Sequence, residues 1–209
     1  MGILSAAQPT LTDIPGLASR PALIAGLVFL EGTSAPGWTV RDLGSWFDTH
    51  VVRQGVMGRP LLVNEPAAGT VPLYPNGEHG EAGAALLPRL LMATRIRVVS
   101  ALRGLLHAPV DDRFLASAIF AGRVRRQRLD GAPQWVARPE ATAPLSGVVL
   151  SLFAVDVLSH RDAYDSGLCV CDVCGRVSFD DGATERRSCH EHAPSVSGYA
   201  WKAVSRPPG

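Results

Sequence analysis

Four cysteines fall within 21 positions near the end of this chain of 209 residues, Cys169, Cys171, Cys174 and Cys189, and the last is followed at once by His190 and His192. No other feature constrains the fold as strongly. Neither of the longest predominantly apolar runs, 21–30 and 143–155, reaches the roughly 20 residues of a membrane-spanning helix. The first residues, Met-Gly-Ile-Leu-Ser-Ala, lack the basic start and long apolar core of a secretion signal, and Ala6 stands where a myristoylation motif wants Ser or Thr. The expectation is a cytoplasmic protein without a membrane segment. Thiols stay reduced in that compartment, so clustered cysteines read as metal ligands before disulfides.

The spacing supports this. Cys171-x2-Cys174 is followed after fourteen residues by Cys189-x2-His192, a four-ligand Cys3His set suited to Zn²⁺. Two-residue spacers let each pair reach one tetrahedral ion from a tight turn. Gly175 follows the second cysteine, where the backbone must bend with its N–H groups towards sulfur. Cys169, two residues before Cys171 and on the same face of a strand, is an alternate ligand, as is His190. Four ligands close the tetrahedron, so a structural zinc is expected, not a catalytic one. Glu191 between two histidines does not make the His-Glu-x-x-His signature of zinc proteases. Disulfides are the competing reading of the cysteines.

Residues 168–194 resemble the zinc-ribbon and treble-clef group of small zinc modules, in which two knuckle-like ligand pairs flank a β-hairpin. Asp180-Asp181-Gly182 supplies a turn between residues 176–179 and 184–187, which predicts that hairpin here. His192 replaces the last cysteine of the all-cysteine pattern, and Pro194 limits any helix after it, which favours a ribbon over a treble clef. The resemblance does not extend to the rest of the chain.

The remaining residues have the composition of a globular domain, 46% hydrophobic and 19% charged, which excludes a disordered tail. Residues 22–30 read as a buried strand or short helix, 40–52 as a helix entered through Thr39, and 61–64 and 71–74 as short strands. Turn chemistry at Pro36-Gly37, Gly58-Arg59-Pro60 and 66–69 separates them, and 75–80 reads as a loop. From Leu87 the apolar period becomes helical, predicting a helix from Pro88, as its first residue, to about His107. Asp111 and Asp112 at one end, with Arg125, Arg126 and Arg128 at the other, predict a second helix over 111–129. A short strand over 134–138 follows. A third helix over 143–161, capped by Thr142, is apolar almost all round and so should be central. Asp156 on that helix needs a buried partner: an ion pair with an arginine from a neighbouring helix is expected, and a catalytic carboxylate is the alternative. The fold class expected is α+β, with a mixed N-terminal half and a helical second half. The division expected is a globular unit 1–165, a zinc module 166–194 and a tail 195–209.

Twenty basic residues, nineteen of them Arg, face nineteen acidic ones, a net charge of +1, so no global field draws the chain to nucleic acid. Locally, residues 95–138 hold nine Arg and three Asp, which raises the possibility of nucleic-acid binding through Arg123, Arg125, Arg126 and Arg128. On a helix these four would encircle its end instead of forming a stripe. Residues 162–191 carry a local charge of −4, which suits a phosphate backbone badly. Nucleic acid is therefore disfavoured, and an acidic protein or a second copy of the chain is another partner for these arginines. No phosphate loop or nucleophile elbow is present. Tyr199 and Trp201 are candidate contacts to a protein partner. The function expected is a non-catalytic interaction or regulatory protein of the adaptor or assembly kind. A nucleic-acid-binding regulator is the first alternative, and an enzyme whose site sequence order hides is the second.

Overall fold

The structure is a computed structural model that describes residues 17–34, 38–73, 79–106, 109–179, 189 and 192. It is α+β, with helices packed on one another and, among the described residues, three separate two-stranded antiparallel hairpins. A single turn of 3-10 helix, Leu17–Ser19, leads into α1 (Pro21–Gly32). Pro21 opens α1, where its missing N–H has no intrahelical partner to lose. Of the two readings open for this segment, the helix is the one formed. Thr39 caps α2 (Val40–Trp46) through a reciprocal box with Asp42, as its position predicts, and the helix continues as a π-helical segment, Phe47–Val52. β1 (Leu62–Glu65) and β2 (Gly69–Pro72) pair antiparallel as the first hairpin.

α3 (His79–Leu106) begins earlier than its periodicity suggests, and Pro88 lies inside it instead of starting it. The cost is low because Pro88 and Ala84, whose carbonyl loses its usual donor, are both exposed to water. The alanines at 82, 84 and 85 are strong helix formers and carry the helix upstream. Most of the expected 75–80 loop lies outside the described residues, and its last two residues belong to α3.

The helix expected over 111–129 does not form as such. α4 covers only Arg113–Phe120, and Gly122, at φ +65°, ends it in the left-handed conformation that glycine adopts most readily. The amides of Gly122 and Arg123 close the end by donating to the carbonyls of Ile119 and Ala118. The chain then turns into β3 (Val124–Leu129), which pairs with β4 (Ala132–Ala137). The two residues between them, Asp130 and Gly131, both have positive φ, +51° and +81°, the signature of a type I′ hairpin turn. Arg125, Arg126 and Arg128 are thus strand residues, and Arg123 precedes the strand; none encircles a helix end.

α5 (Leu145–Ser159) is central, buried on nearly all sides and packed against α1, α3, α4, α6, β1 and the second hairpin. Thr142 does not cap it. Pro144 occupies that position without a side-chain bond, and the cap comes from β1. The buried Glu65 carboxylate accepts from the Ser146 amide at 2.8 Å and hydroxyl at 3.0 Å, and from Thr94 Oγ1 at 3.2 Å. Arg97 completes this cluster with Nε 3.1 Å from Glu65 Oε1. A carboxylate at a helix N-terminus satisfies free amides and the helix dipole together.

Asp156 of α5 is 2% exposed and pairs with Arg20, the residue that precedes α1. The guanidinium grips both oxygens, with Nε at 3.1 and 3.2 Å and Nη2 on Oδ2. α6 (Arg161–Gly167) follows α5 after His160. Its Tyr164 packs edge-on against Phe179, and the Arg20 guanidinium lies 4.4 Å from the centre of the Phe179 ring. Trp46 is anchored in the same core, donating its indole N–H to the Ala25 carbonyl at 3.0 Å. No helix among the described residues is long and apolar enough to cross a membrane.

Replacing Asp156 with Leu strands a buried cation and should lower unfolding stability in urea by about 3–5 kcal/mol. The double variant Arg20→Met/Asp156→Leu should recover most of it, and a double variant no more stable than the single one would contradict this account of the pair.

Candidate metal centre

β5 (Leu168–Val170) and β6 (Val177–Phe179) form the third hairpin, with Cys169 opposite Ser178 and Val170 opposite Val177. β6 therefore pairs with the strand before the first cysteine pair; residues 184–187, its expected partner, lie outside the described residues. The turn joining β5 to β6 is the Cys171–Arg176 segment. Cys171 donates its amide to the Arg176 carbonyl at 2.8 Å, and Gly175 donates to the Cys171 carbonyl at 2.9 Å. Gly175 has φ +65°, the left-handed geometry this bend requires and glycine permits. On the other side, the His192 amide donates to the Cys189 carbonyl at 2.9 Å, curling the second pair into a turn of its own.

The two turns meet. One donor atom from each of Cys171, Cys174, Cys189 and His192 lies within 4.8 Å of the other three, and the set could hold a metal ion. His192 Nδ1 is 3.1 Å from Cys189 Sγ and 3.7 Å from Cys171 Sγ, and Cys174 Sγ is 3.6 Å from Cys189 Sγ. Sulfur ligands around a tetrahedral ion with bonds of about 2.3 Å stand about 3.7 Å apart, so these separations suit such an ion. Cys171 and Cys189 are buried, and Cys174 and His192 are exposed.

The surroundings favour ionised sulfur at two of the three positions. Burial opposes ionisation of Cys171, but the amides of Cys189, Cys174 and Val173 outweigh it and bring the thiol down to about 6. Burial likewise opposes, and the His192 contact outweighs, at Cys189, whose pKa is lowered. Burial raises Cys174, and the Cys189 contact raises His192.

Cys169 does not join the cluster. It is buried in β5, and burial raises its thiol pKa against a hydrogen bond with Ser178. His190, Tyr199 and Trp201 lie outside the described residues. Arg125, Arg126 and Arg128 belong to the second hairpin and Arg123 leads into it; the hairpin packs on α4 and α5, whereas β5 and β6 pack on α3 and α1. Asp156 is held in its ion pair and does not line the cleft of about 370 Å³ between α3 and the start of α4, where Arg97, Ser100, Asp111 and Arg113 are found.

Two residues that the sequence presents only as part of a basic stretch prove to support the site. Arg103 of α3 donates Nη2 to the Cys171 carbonyl at 2.8 Å, and Arg95, two turns earlier, donates Nη2 to the Gly175 carbonyl at 3.1 Å. Val99 lies between them, 3.5 Å from where a Cβ on Gly175 would stand. Spacing of i, i+4, i+8 puts all three on one face of α3, and this was the available signal. Arg95 also bonds the Leu30 carbonyl near the end of α1, so one side chain ties α1, α3 and the metal turn together. Leu168, Val170 and Phe179 belong to the main hydrophobic core, so the first half of the site rests on the body of the fold.

Removing the Arg103 bond to the Cys171 carbonyl should loosen the turn that presents two ligands. Arg103→Ala is expected to release metal to a chelator at about 10-fold lower concentration than the unmodified protein, the scale of a lost supporting contact. Equal retention would show that Arg103 does not position the turn. No protein family model matches the chain, and no curated protein or solved structure matches it.

Proposed function

We propose that Cys171, Cys174, Cys189 and His192 hold a structural Zn²⁺ and that the chain is a non-catalytic interaction or regulatory protein of the adaptor or assembly kind. The observation that carries this reading is the closed ligand set: three sulfurs and one imidazole nitrogen converge. Thiolate and imidazole suit zinc, and four protein ligands leave no position for water or substrate. The ion would fix the Cys189–His192 turn against the Cys171–Cys174 turn, ordering a segment with few apolar residues of its own. It thereby shapes a surface, which is what a docking protein needs.

Thiolates reserved for a metal belong in a reducing compartment, so the cytoplasm is the proposed location. The ribbon likeness of residues 168–194 is part of the same reading: β5, the cysteine turn and β6 make a knuckle, and His192 faces its sulfurs.

Metal analysis of reduced, purified protein tests the proposal. One zinc per chain is expected, falling to background in Cys171→Ser and His192→Ala. Amides at Cys171 and Gly175 should lose hydrogen-exchange protection in both variants, while those of the α5 core keep theirs. Reduced protein that neither carries nor takes up zinc would overturn the reading.

A further inference from the structure

The Cys171–Cys174 turn turns one of its two sulfurs outward. Cys174 is exposed, as are Asp172 and Val173 before it, and Val173 is 71% exposed. Cys171 and Cys189 are buried within the cluster, and Cys169 is buried in β5. Among these four thiols, Cys174 is the one that a solute reaches. Its Sγ lies 3.6 Å from Cys189 Sγ. An accessible sulfur held as a thiolate, with a second sulfur beside it to resolve the first product of oxidation, is the arrangement of a peroxide-sensing cysteine pair. The neighbouring charges suit that chemistry as well. Arg95 and Arg103 place guanidinium groups on the carbonyls of Gly175 and Cys171, either side of Cys174 in the turn, and reactive cysteines sit in such electropositive, partly exposed surroundings.

We propose that the metal centre is a redox switch in which a peroxide oxidises Cys174, Cys189 closes a disulfide with it, and the ion is released. The inference rests on the zinc reading and adds a regulation to that site. A bound ion keeps Cys174 deprotonated. Its sulfur attacks one peroxide oxygen, the O–O bond breaks, and the hydroxide that leaves takes a proton to become water, so Cys174 becomes a sulfenic acid. The Cys189 thiolate then attacks the Cys174 sulfur, the S–O bond breaks, and a second hydroxide leaves and is protonated to water. Each thiolate gives up one electron, and the peroxide, taking two electrons and two protons, becomes two waters. No step needs an open position on the ion, because the attack is made by sulfur. The ion is left with Cys171 and His192, half of the four ligands that a structural zinc site requires.

The two halves of the site respond differently. The first turn keeps its own supports: the Cys171 amide bond to the Arg176 carbonyl, the Arg103 bond to the Cys171 carbonyl, and the anchorage of Leu168, Val170 and Phe179 in the core. Oxidation thus leaves that turn in place, keeps Cys189 tethered to it through the new disulfide, and frees His192. The surface that the ion shapes is altered, and the core is spared.

The test treats the full, zinc-loaded chain, freed of reductant, with hydrogen peroxide. A chromophoric chelator reads the zinc released, and mass spectrometry of the digested protein maps the disulfide. One zinc per chain should be released together with a Cys174–Cys189 cross-link, and dithiothreitol should restore zinc uptake. Cys169→Ser should release zinc as fast as the unmodified protein, because Cys169 lies outside the cluster. Cys174→His keeps four ligating groups but replaces the accessible sulfur by imidazole. It should release zinc about 10-fold more slowly, since oxidation must then begin at a buried sulfur. If that variant does not hold zinc, the cross-link map of the unmodified protein decides alone. A chain without zinc before peroxide is added fails the zinc reading itself. A chain that carries zinc and keeps it in peroxide, or loses it with no Cys174–Cys189 cross-link, overturns the switch and leaves the zinc reading standing.

Discussion

Arg20 and Asp156 are 136 positions apart and bury their charges against each other. Two charges taken out of water cost several kcal/mol each, and only a geometry that satisfies both sides offsets this. The bidentate grip of Arg20 supplies it, and the faces of Tyr164 and Phe179 lie beside the guanidinium. The pair thus fixes how the start of α1, the central helix, α6 and the metal hairpin meet. Phe179 makes the link to the candidate metal site, because it ends the strand that follows the Cys171–Cys174 turn. A displaced Arg20 would disturb the floor on which that turn rests.

α3 supports the same turn from the other side. Arg95, Val99 and Arg103 present carbonyl-binding guanidinium groups and an apolar patch to Cys171 and Gly175. Ligand carbonyls held in this way fix the sulfur positions before any ion arrives, and that lowers the ordering cost of binding it. The structure joins a site confined to the last fifth of the sequence to helices formed by its first half, so the core and the centre are coupled mechanically through shared side chains.

The legible parts of the chain are those governed by local chemistry. The Thr39 cap, the apolar encirclement of α5 and the Cys171-x2-Cys174 and Cys189-x2-His192 spacings are short-range signals, and each has its counterpart in the structure. The misread segment, 111–129, shows how such signals compete. Charges suited to a helix dipole span it, worth well under 1 kcal/mol each on a surface, but Gly122 and Asp130-Gly131 lie inside it. A glycine ready for the left-handed region ends a helix, and an Asp-Gly pair is a strong hairpin turn. These backbone preferences decided the outcome, and both glycine signals stand in the sequence. Pro88 erred in the other direction, as a helix breaker tolerated because its unpaired carbonyl partner faces water.

The sequence by itself determined the residue types of the cluster that could hold a metal, their pairing by two-residue spacers, and the α+β character, because each depends on atoms a few bonds apart. Tertiary structure alone decided which arginine neutralises Asp156, that Glu65 caps α5 in place of Thr142, and that Arg95 and Arg103 hold the cysteine turn. The physical reason is common to all three. A buried charge, a helix end and a carbonyl each accept any suitable partner that packing brings within about 3 Å, and which residue arrives is fixed by the assembly of the core, not by its neighbours in the chain.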